Sequence, residues 1–389
     1  MSFAVNAAIS RIEAPPIAEA QSWIKPGARN RMLLNFCQAV PRYPAAEALQ
    51  AEVARLATDP AVSFYTDIFG LPELREGLAR HMADDYAGDV QADDVAITMG
   101  CNQAFSAALM AIAAKGDNVI IPAPYFFNHQ MWFDMQGIEA RYVPAFTADG
   151  PLPRVADAAD LIDGNTRAIV LCTPNNPTGA IYPPALIGEF CNLAQRHGIA
   201  LVIDETYKDF RDDLSPAHHL FATPQWRDTF IQLFSFSKTY AMTGYRAGSI
   251  IAGPRVLAEI EKVLDCLGIC APHISQRAAL FALTNLEPWK AEKRAAMVAR
   301  TEAIRAAFAT PDLKYKLITS GANFAYVEHP FTDEAAKSVA IRLAGEHDLL
   351  CLPGSMFGPG QERYLRIAFA NAEAENMPLV AERLIESQG

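Results

Sequence analysis

Lys238 ends the window Ser235-Phe236-Ser237-Lys238, which follows an apolar run, 230–234, that reads as a buried strand. A lysine at the end of a buried strand is poorly placed as a solvated charge. Partial burial lowers its pKa and frees the amine to form an imine with a carbonyl. The hydroxyls just before it, and Arg246 eight positions on in Thr243-Gly244-Tyr245-Arg246, suit a phosphate held in the same turn. A lysine imine beside a phosphate cup is the chemistry of pyridoxal 5'-phosphate (PLP).

Four other windows admit more than one reading each. Thr173-Pro174-Asn175-Asn176-Pro177-Thr178-Gly179 is either an ordinary turn or a platform that presents the Asn176 amide to a ligand oxygen. In Asp204-Glu205-Thr206-Tyr207, Asp204 suits a helix cap, a metal ligand, or the partner of a protonated pyridine nitrogen, where it makes the ring a better electron sink. Tyr207 is either a half-buried packing tyrosine or, with Asn176, a partner of the ring's phenolate oxygen. Met99-Gly100-Cys101-Asn102-Gln103-Ala104 reads as a strand-to-helix turn whose backbone N–H groups suit a phosphate. No base stands near Cys101 in sequence, so a nucleophilic thiol is not expected there. Arg366 lies inside the apolar strand pattern Tyr364-Leu365-Arg366-Ile367-Ala368-Phe369. A buried arginine needs an anion, either a structural carboxylate or that of a substrate.

The scaffold must bring these windows to one edge. The pattern predicts strands at 95–98, 118–122, 140–143, 167–172, 200–203, 229–234 and 247–252, with helices at 45–56, 71–86, 103–114, 126–136 and 184–197. Continuous apolar strands between helices indicate an α/β fold with a mainly parallel seven-stranded sheet covered on both faces, and ligands in such sheets sit at the C-terminal strand ends. Helices at 255–267, 275–284 and 287–308 lead into a smaller α+β unit, with strands at 315–318, 324–328, 349–352 and 364–369 and a helix at 334–346. Residues 1–45 read as irregular, broken at Ala14-Pro15-Pro16 and Lys25-Pro26-Gly27, yet apolar enough to pack on the body. The expected division is 1–45 as an arm and part of a small domain, 46–285 as a large cofactor-binding domain, and 286–389 as a C-terminal small domain.

Composition narrows the function classes. Hydrophobic residues are 51% and charged residues 20%, as in a globular, soluble chain. The net charge of −11 argues against a nucleic-acid surface. No apolar stretch reaches the roughly 18 residues of a membrane span. Residues 1–12 lack the basic start of a signal peptide. The seven cysteines show no CxxC pair and no histidine set beside them, which predicts free thiols in a reducing cytoplasm and no metal site.

Taken in order, NNPTG, DETY, SFSK with its arginine eight residues on, and YLRIAFA resemble the class I/II aminotransferases of the fold-type I PLP enzymes, over about residues 33–385. The resemblance implies Lys238 as the imine-forming residue and proton shuttle, and Asp204 as the pyridinium partner. It implies Tyr207 and Asn176 at the ring oxygen, and Ser235, Arg246, Cys101 and Asn102 at the phosphate. Phe126 would stack on the ring, and Arg366 would clamp the α-carboxylate. Tyr65, in Tyr65-Thr66-Asp67-Ile68-Phe69-Gly70, would reach the phosphate of a neighbouring subunit, which implies a homodimer with shared sites. The implied reaction moves an amino group from an L-amino acid to a 2-oxo acid by a ping-pong route.

Some positions depart from that pattern. Ala39 stands where many members carry a glycine near the substrate carboxylate. Asn102 stands where some aspartate-specific members carry a lysine, which weakens a dicarboxylate reading. No role is assigned to His273. The side-chain pocket is expected among 12–17, Ala39, Val40, Asn102 and 125–129, with an aromatic or otherwise uncharged donor favoured and aspartate as the alternative. β-Elimination, racemisation or oxidative deamination would use the same motifs. A ligand-sensing module is disfavoured because no DNA-binding segment is evident.

Overall fold

The computed structural model describes residues 3–25, 31–147 and 150–389. Pro26 and Gly27, two of the expected breakers, lie outside the described residues. Seven strands, β1 (Val95–Thr98), β2 (Asn118–Ala123), β3 (Glu139–Pro144), β4 (Thr166–Cys172), β5 (Ala200–Asp204), β6 (Phe230–Ser235) and β7 (Gly248–Ile251), form one sheet in the order β1-β7-β6-β5-β4-β2-β3. Only β7 runs antiparallel to its neighbours.

Alternation along each strand sorts side chains to two cores. Ile169, Leu171, Leu201 and Ile203 face the helices Pro72–Tyr86, Pro184–His197 and His273–Asn285. Ala168, Val170, Val202 and Leu233 face the helices Cys101–Ile112 and Pro254–Gly268. Burial on both faces explains why these strands are apolar throughout rather than alternating. The same alternation carries Asp204 to the face of Val202, over the start of the Cys101–Ile112 helix.

A second, antiparallel sheet contains β8 (Lys316–Gly321), β9 (Phe324–Glu328), β10 (Leu352–Pro353) and β11 (Tyr364–Ala368), in the order β10-β11-β9-β8. The helices Glu287–Phe308, Ala336–Glu346 and Met377–Glu386 close its core. Leu34–Asn35 pairs in parallel with Leu349–Leu350, so the N-terminal segment is built into this unit.

Three expectations need correction. The arm is not irregular: it holds the helices Ala7–Ser10 and Pro16–Ser22 and the strand Leu34–Asn35, and Pro16 starts a helix rather than ending one because N1 needs no backbone donor. The helix expected from Gln103 begins at Cys101, with Gly100 as its N-cap at φ +80°. The helix Met377–Glu386, which buries Met377, Val380, Ala381 and Leu384, was not expected at all.

The NNPTG loop meets the second sheet at Gly179, whose φ is +74°. A Cβ there would lie 2.5 Å from the Gly321 backbone nitrogen, so only glycine fits. Gly188, inside the helix Pro184–His197, has open space around its Cα. Gly179→Ala should therefore lower stability by about 2 kcal/mol or more, whereas Gly188→Ala should raise it by roughly 0.5–1 kcal/mol. Denaturant midpoints of the two variants check both signs.

Candidate active site

A cavity of about 440 Å³ opens at the C-terminal ends of β4, β5 and β6 and the start of the Cys101–Ile112 helix. It brings together Ala39, Cys101, Asn102, Phe126, Asn176, Asp204, Tyr207, Ser235, Lys238, Arg246 and Arg366. Tyr65 does not line it. That side chain is 74% exposed beside Phe64, on a segment tied down by Gln276 Nε2 to Thr66 Oγ1 at 2.9 Å and by His273 Nδ1 against the Phe64 carbonyl at 3.1 Å. His273 thus anchors that segment.

Lys238 sits on a single turn, Phe236–Thr239, that follows β6. Ser235 Oγ accepts the Ser237 N–H at 3.2 Å and starts the turn. Burial pushes the Lys238 amine down, and the charges of Arg246 and Arg366 push it further, to about 8. At neutral pH about a tenth of such an amine is uncharged, several hundredfold more than for an ordinary lysine.

One end of the cavity is built for an anion. Ala104 N–H bonds the Gly100 carbonyl, so the amides of Cys101, Asn102 and Gln103 form the open start of a 12-residue helix. Arg246 reaches across this start, donating to the Met99 carbonyl at 3.3 Å and to Ser237 Oγ at 3.4 Å. Gly100 suits this point by its positive φ, and a Cβ there, 2.8 Å from Arg246 Cζ, would push the guanidinium out of its place. Ser237 is thereby drawn into the site.

Asp204 stands in the middle. Its Oδ1 accepts Thr206 N–H at 3.0 Å and faces Cys101 Sγ at 3.5 Å, and its Oδ2 meets His129 Nε2 at 3.2 Å. Burial pushes its carboxyl up, but the hydrogen bond and charge of His129 and the bonds from Thr206 outweigh this, and the net shift is downward. A carboxylate distant in sequence therefore stands beside Cys101. The thiol is pushed well up by burial and by Asp204, which makes it a poor nucleophile. His129, expected among the residues 125–129 of the side-chain pocket, instead supports Asp204. It is 2% exposed, stacks on Phe105 at 4.1 Å and meets the Phe126 ring edge-on at 5.3 Å. Its position, three residues after Phe126 and one helical turn on, is the available signal.

Arg366 closes the other end, on β11 and 2% exposed. Its Nη1 donates to Asn176 Oδ1 at 2.9 Å, its Nη2 donates to the Cys37 carbonyl, and its Nε has no partner. Among the described residues no carboxylate pairs with it, which removes the structural-carboxylate reading. Burial alone pushes this guanidinium down to about 10. Tyr207 packs edge-on against Phe324, with its hydroxyl pushed up by burial. The His81, Asp85 and Asp209 side chains group as metal ligands do, but Lys208 Nζ already lies 2.5 Å from Asp85 Oδ2.

Comparisons with known proteins bear on the family and the fold. Residues 31–384 match the family model described as aminotransferase class I and II. The chain is 28% identical to the aromatic aminotransferase ISS1 of Arabidopsis thaliana, over 90% of this chain and 88% of that protein. It is 30% identical to an aspartate aminotransferase of Pyrococcus horikoshii, over 86% and 84% of the two chains. The solved Thermus thermophilus aspartate aminotransferase with maleate superposes at a TM-score of 0.88 over 99% of this chain and all of that one, at 24% identity, a shared fold.

The lowered Lys238 amine has a direct readout. In protein freed of any cofactor, labelling of Lys238 by an amine reagent should rise through a midpoint near 8, against 10.5 for an ordinary lysine. Arg246→Gln and Arg366→Gln should each move that midpoint upward. Site-resolved mass spectrometry across pH checks it, and an ordinary midpoint would count against the burial argument.

Proposed function

The chain belongs to the class I and II aminotransferases, which are PLP-dependent, and on that footing we propose a division of labour among its cavity residues. The donor set fits the cofactor: an open helix start beside Arg246, an ionised carboxylate, a lysine with a lowered pKa, and a buried arginine lacking a counter-ion. Bound PLP supplies the electron sink that lets the substrate's Cα–H bond ionise. Ser235, Asn102, Arg246 and the backbone N–H of Cys101 would hold the phosphate. Asp204 would hold the ring nitrogen, Tyr207 and Asn176 the ring oxygen, and Phe126 one face of the ring. Arg366 binds the α-carboxylate with its two-pronged guanidinium and so fixes the direction of the Cα–H bond. Lys238 Nζ takes the Cα proton as a free amine and returns it later in the half-reaction. The same residues serve an amino acid and then a 2-oxo acid in alternation.

The single observation that carries this reading is the buried Arg366, whose missing anion a substrate carboxylate would supply. For the side chain, the wall offers Pro16, Ile17, Val40 and Phe127 with the amides of Gln38 and Asn128. Among the described lining residues the only cations are Lys238, Arg246 and Arg366, which supports an aromatic or other uncharged donor over aspartate.

Other features extend the proposal. Exposed Phe64 and Tyr65 support a homodimer in which Tyr65 reaches the partner's phosphate site. All seven cysteines are free, which supports a cytoplasmic location, and no helix among the described residues is long and apolar enough to cross a membrane. Domain limits at 45 and 285 are likewise proposed, because the helix Glu287–Phe308 gives its buried face to the second core.

A donor screen tests the reading. An amino acid added alone should abolish the visible band of the PLP-loaded protein, and a 2-oxo acid should restore it. Release of ammonia without a 2-oxo acid would favour a lyase or oxidase instead. Lys238→Ala should lose about 10³-fold or more in turnover, and Arg366→Ala about a hundredfold in kcat/KM.

A further inference from the structure

Lys208 and Asp209 follow Tyr207 directly and belong to no part of the chemistry described so far. Lys208 is buried, with Nζ 2.5 Å from Asp85 Oδ2 and 3.1 Å from Asp209 Oδ1. It also lies over the rings of Tyr86 and Phe234, at 5.9 Å and 5.4 Å. His81 Nε2 stands 3.3 Å from Asp85, and Lys290 Nζ 4.0 Å from Asp209 Oδ1. A buried ion cluster of this kind returns little net stability, because desolvation offsets the attraction. What it does fix is the orientation of Asp209. Both ammonium groups address Oδ1, which leaves Oδ2 to accept the hydroxyl of Thr239 at 2.8 Å.

Thr239 is the residue after Lys238, and it is 1% exposed. The turn that carries both spans four residues and is held by one side-chain cap and a few backbone bonds, Tyr240 N–H to the Phe236 carbonyl at 3.2 Å and Ala241 N–H to the Lys238 carbonyl at 3.3 Å. One turn of helix has no cooperative rigidity of its own. Successive residues point about 100° apart around it, so pinning Thr239 on the far side fixes where Lys238 points. The 204–210 segment thus faces the cavity with Asp204 and Tyr207 and grips the lysine turn from behind with Asp209.

We propose that Asp209 is a positioning residue for Lys238, acting through the Thr239 hydroxyl and aimed by Lys208. The proposal rests on Lys238 being the reacting amine. Its test uses PLP-loaded protein carrying Thr239→Val, Thr239→Ser, Asp209→Asn or Lys238→Ala, read by the pH midpoint of the visible band, by kcat and KM separately, and by thermal midpoint. Thr239→Val keeps the side-chain shape and loses the hydroxyl. It should lower kcat about tenfold, leave KM within about threefold, and move the band's midpoint by roughly half a unit or more, with Thr239→Ser restoring all three. Asp209→Asn keeps an acceptor for Thr239 but loses the charge that Lys208 aims, so it should shift the midpoint in the same direction by less. A Thr239→Val protein with the native band and kcat, whatever its thermal midpoint, overturns the proposal, as does a failure of Thr239→Ser to rescue. A band that survives Lys238→Ala unchanged overturns the reading of Lys238 and the tether with it, whereas loss of the band there beside a native Thr239→Val spectrum overturns the tether alone.

Discussion

Among the described residues the guanidinium of Arg366 is buried with only neutral hydrogen-bond partners, and the rest of the site is arranged around that cost. A lone buried cation is held in place here by the Asn176 side chain and the Cys37 carbonyl, one from the loop after β4 and one from the N-terminal segment. Three regions far apart in sequence must dock before the charge is fixed. The site is therefore a property of the joined sheets, since neither the large sheet nor the small one contains it. Burial and the charge of Arg246 lower the pKa of Lys238, and the charge of Arg366 across the cavity adds to both.

Along the cavity, charge is ordered by strand ends. Arg246 and the helix start lie at one end, Asp204 and its His129 support in the middle, and Arg366 at the other. Asp204 stays ionised although it is buried, because the alternation of β5 delivers it to the side where Thr206, His129 and Cys101 converge. Glu205, one residue on, is delivered to the opposite face, where His218 Nε2 meets its carboxylate at 3.2 Å. Adjacent carboxylates with opposite surroundings follow from the period of two in a strand.

Much of this was legible in the sequence because it is local. Strand identity followed from continuous apolar runs such as 167–172 and 200–203, and the lysine, the aspartate and the phosphate turn each end such a run. The parts that were not legible depend on partners distant in sequence. The arm around Pro16–Ser22 looked irregular because its order comes from packing on the second sheet, where Ala20 is fully buried. His129 read as a residue of the side-chain pocket, and its role beside Asp204 was not legible because that carboxylate lies on another strand. Cys101 was set aside as a nucleophile, and its neighbour Asp204, across the strand ends, raises the thiol further. Ser237, Lys208 and Asp209 likewise acquire meaning only once the turn and the strand beside it are placed.

The contact between Gly179 and Gly321 has a consequence for how such a chain changes over time. Each backbone occupies the space in which the other's side chain would grow, so neither position tolerates a single substitution and no compensating change at the other makes room. The seam there is written in backbone alone. A small unit grafted from a relative would seat at that point only if it brought a glycine to face the resident Gly179.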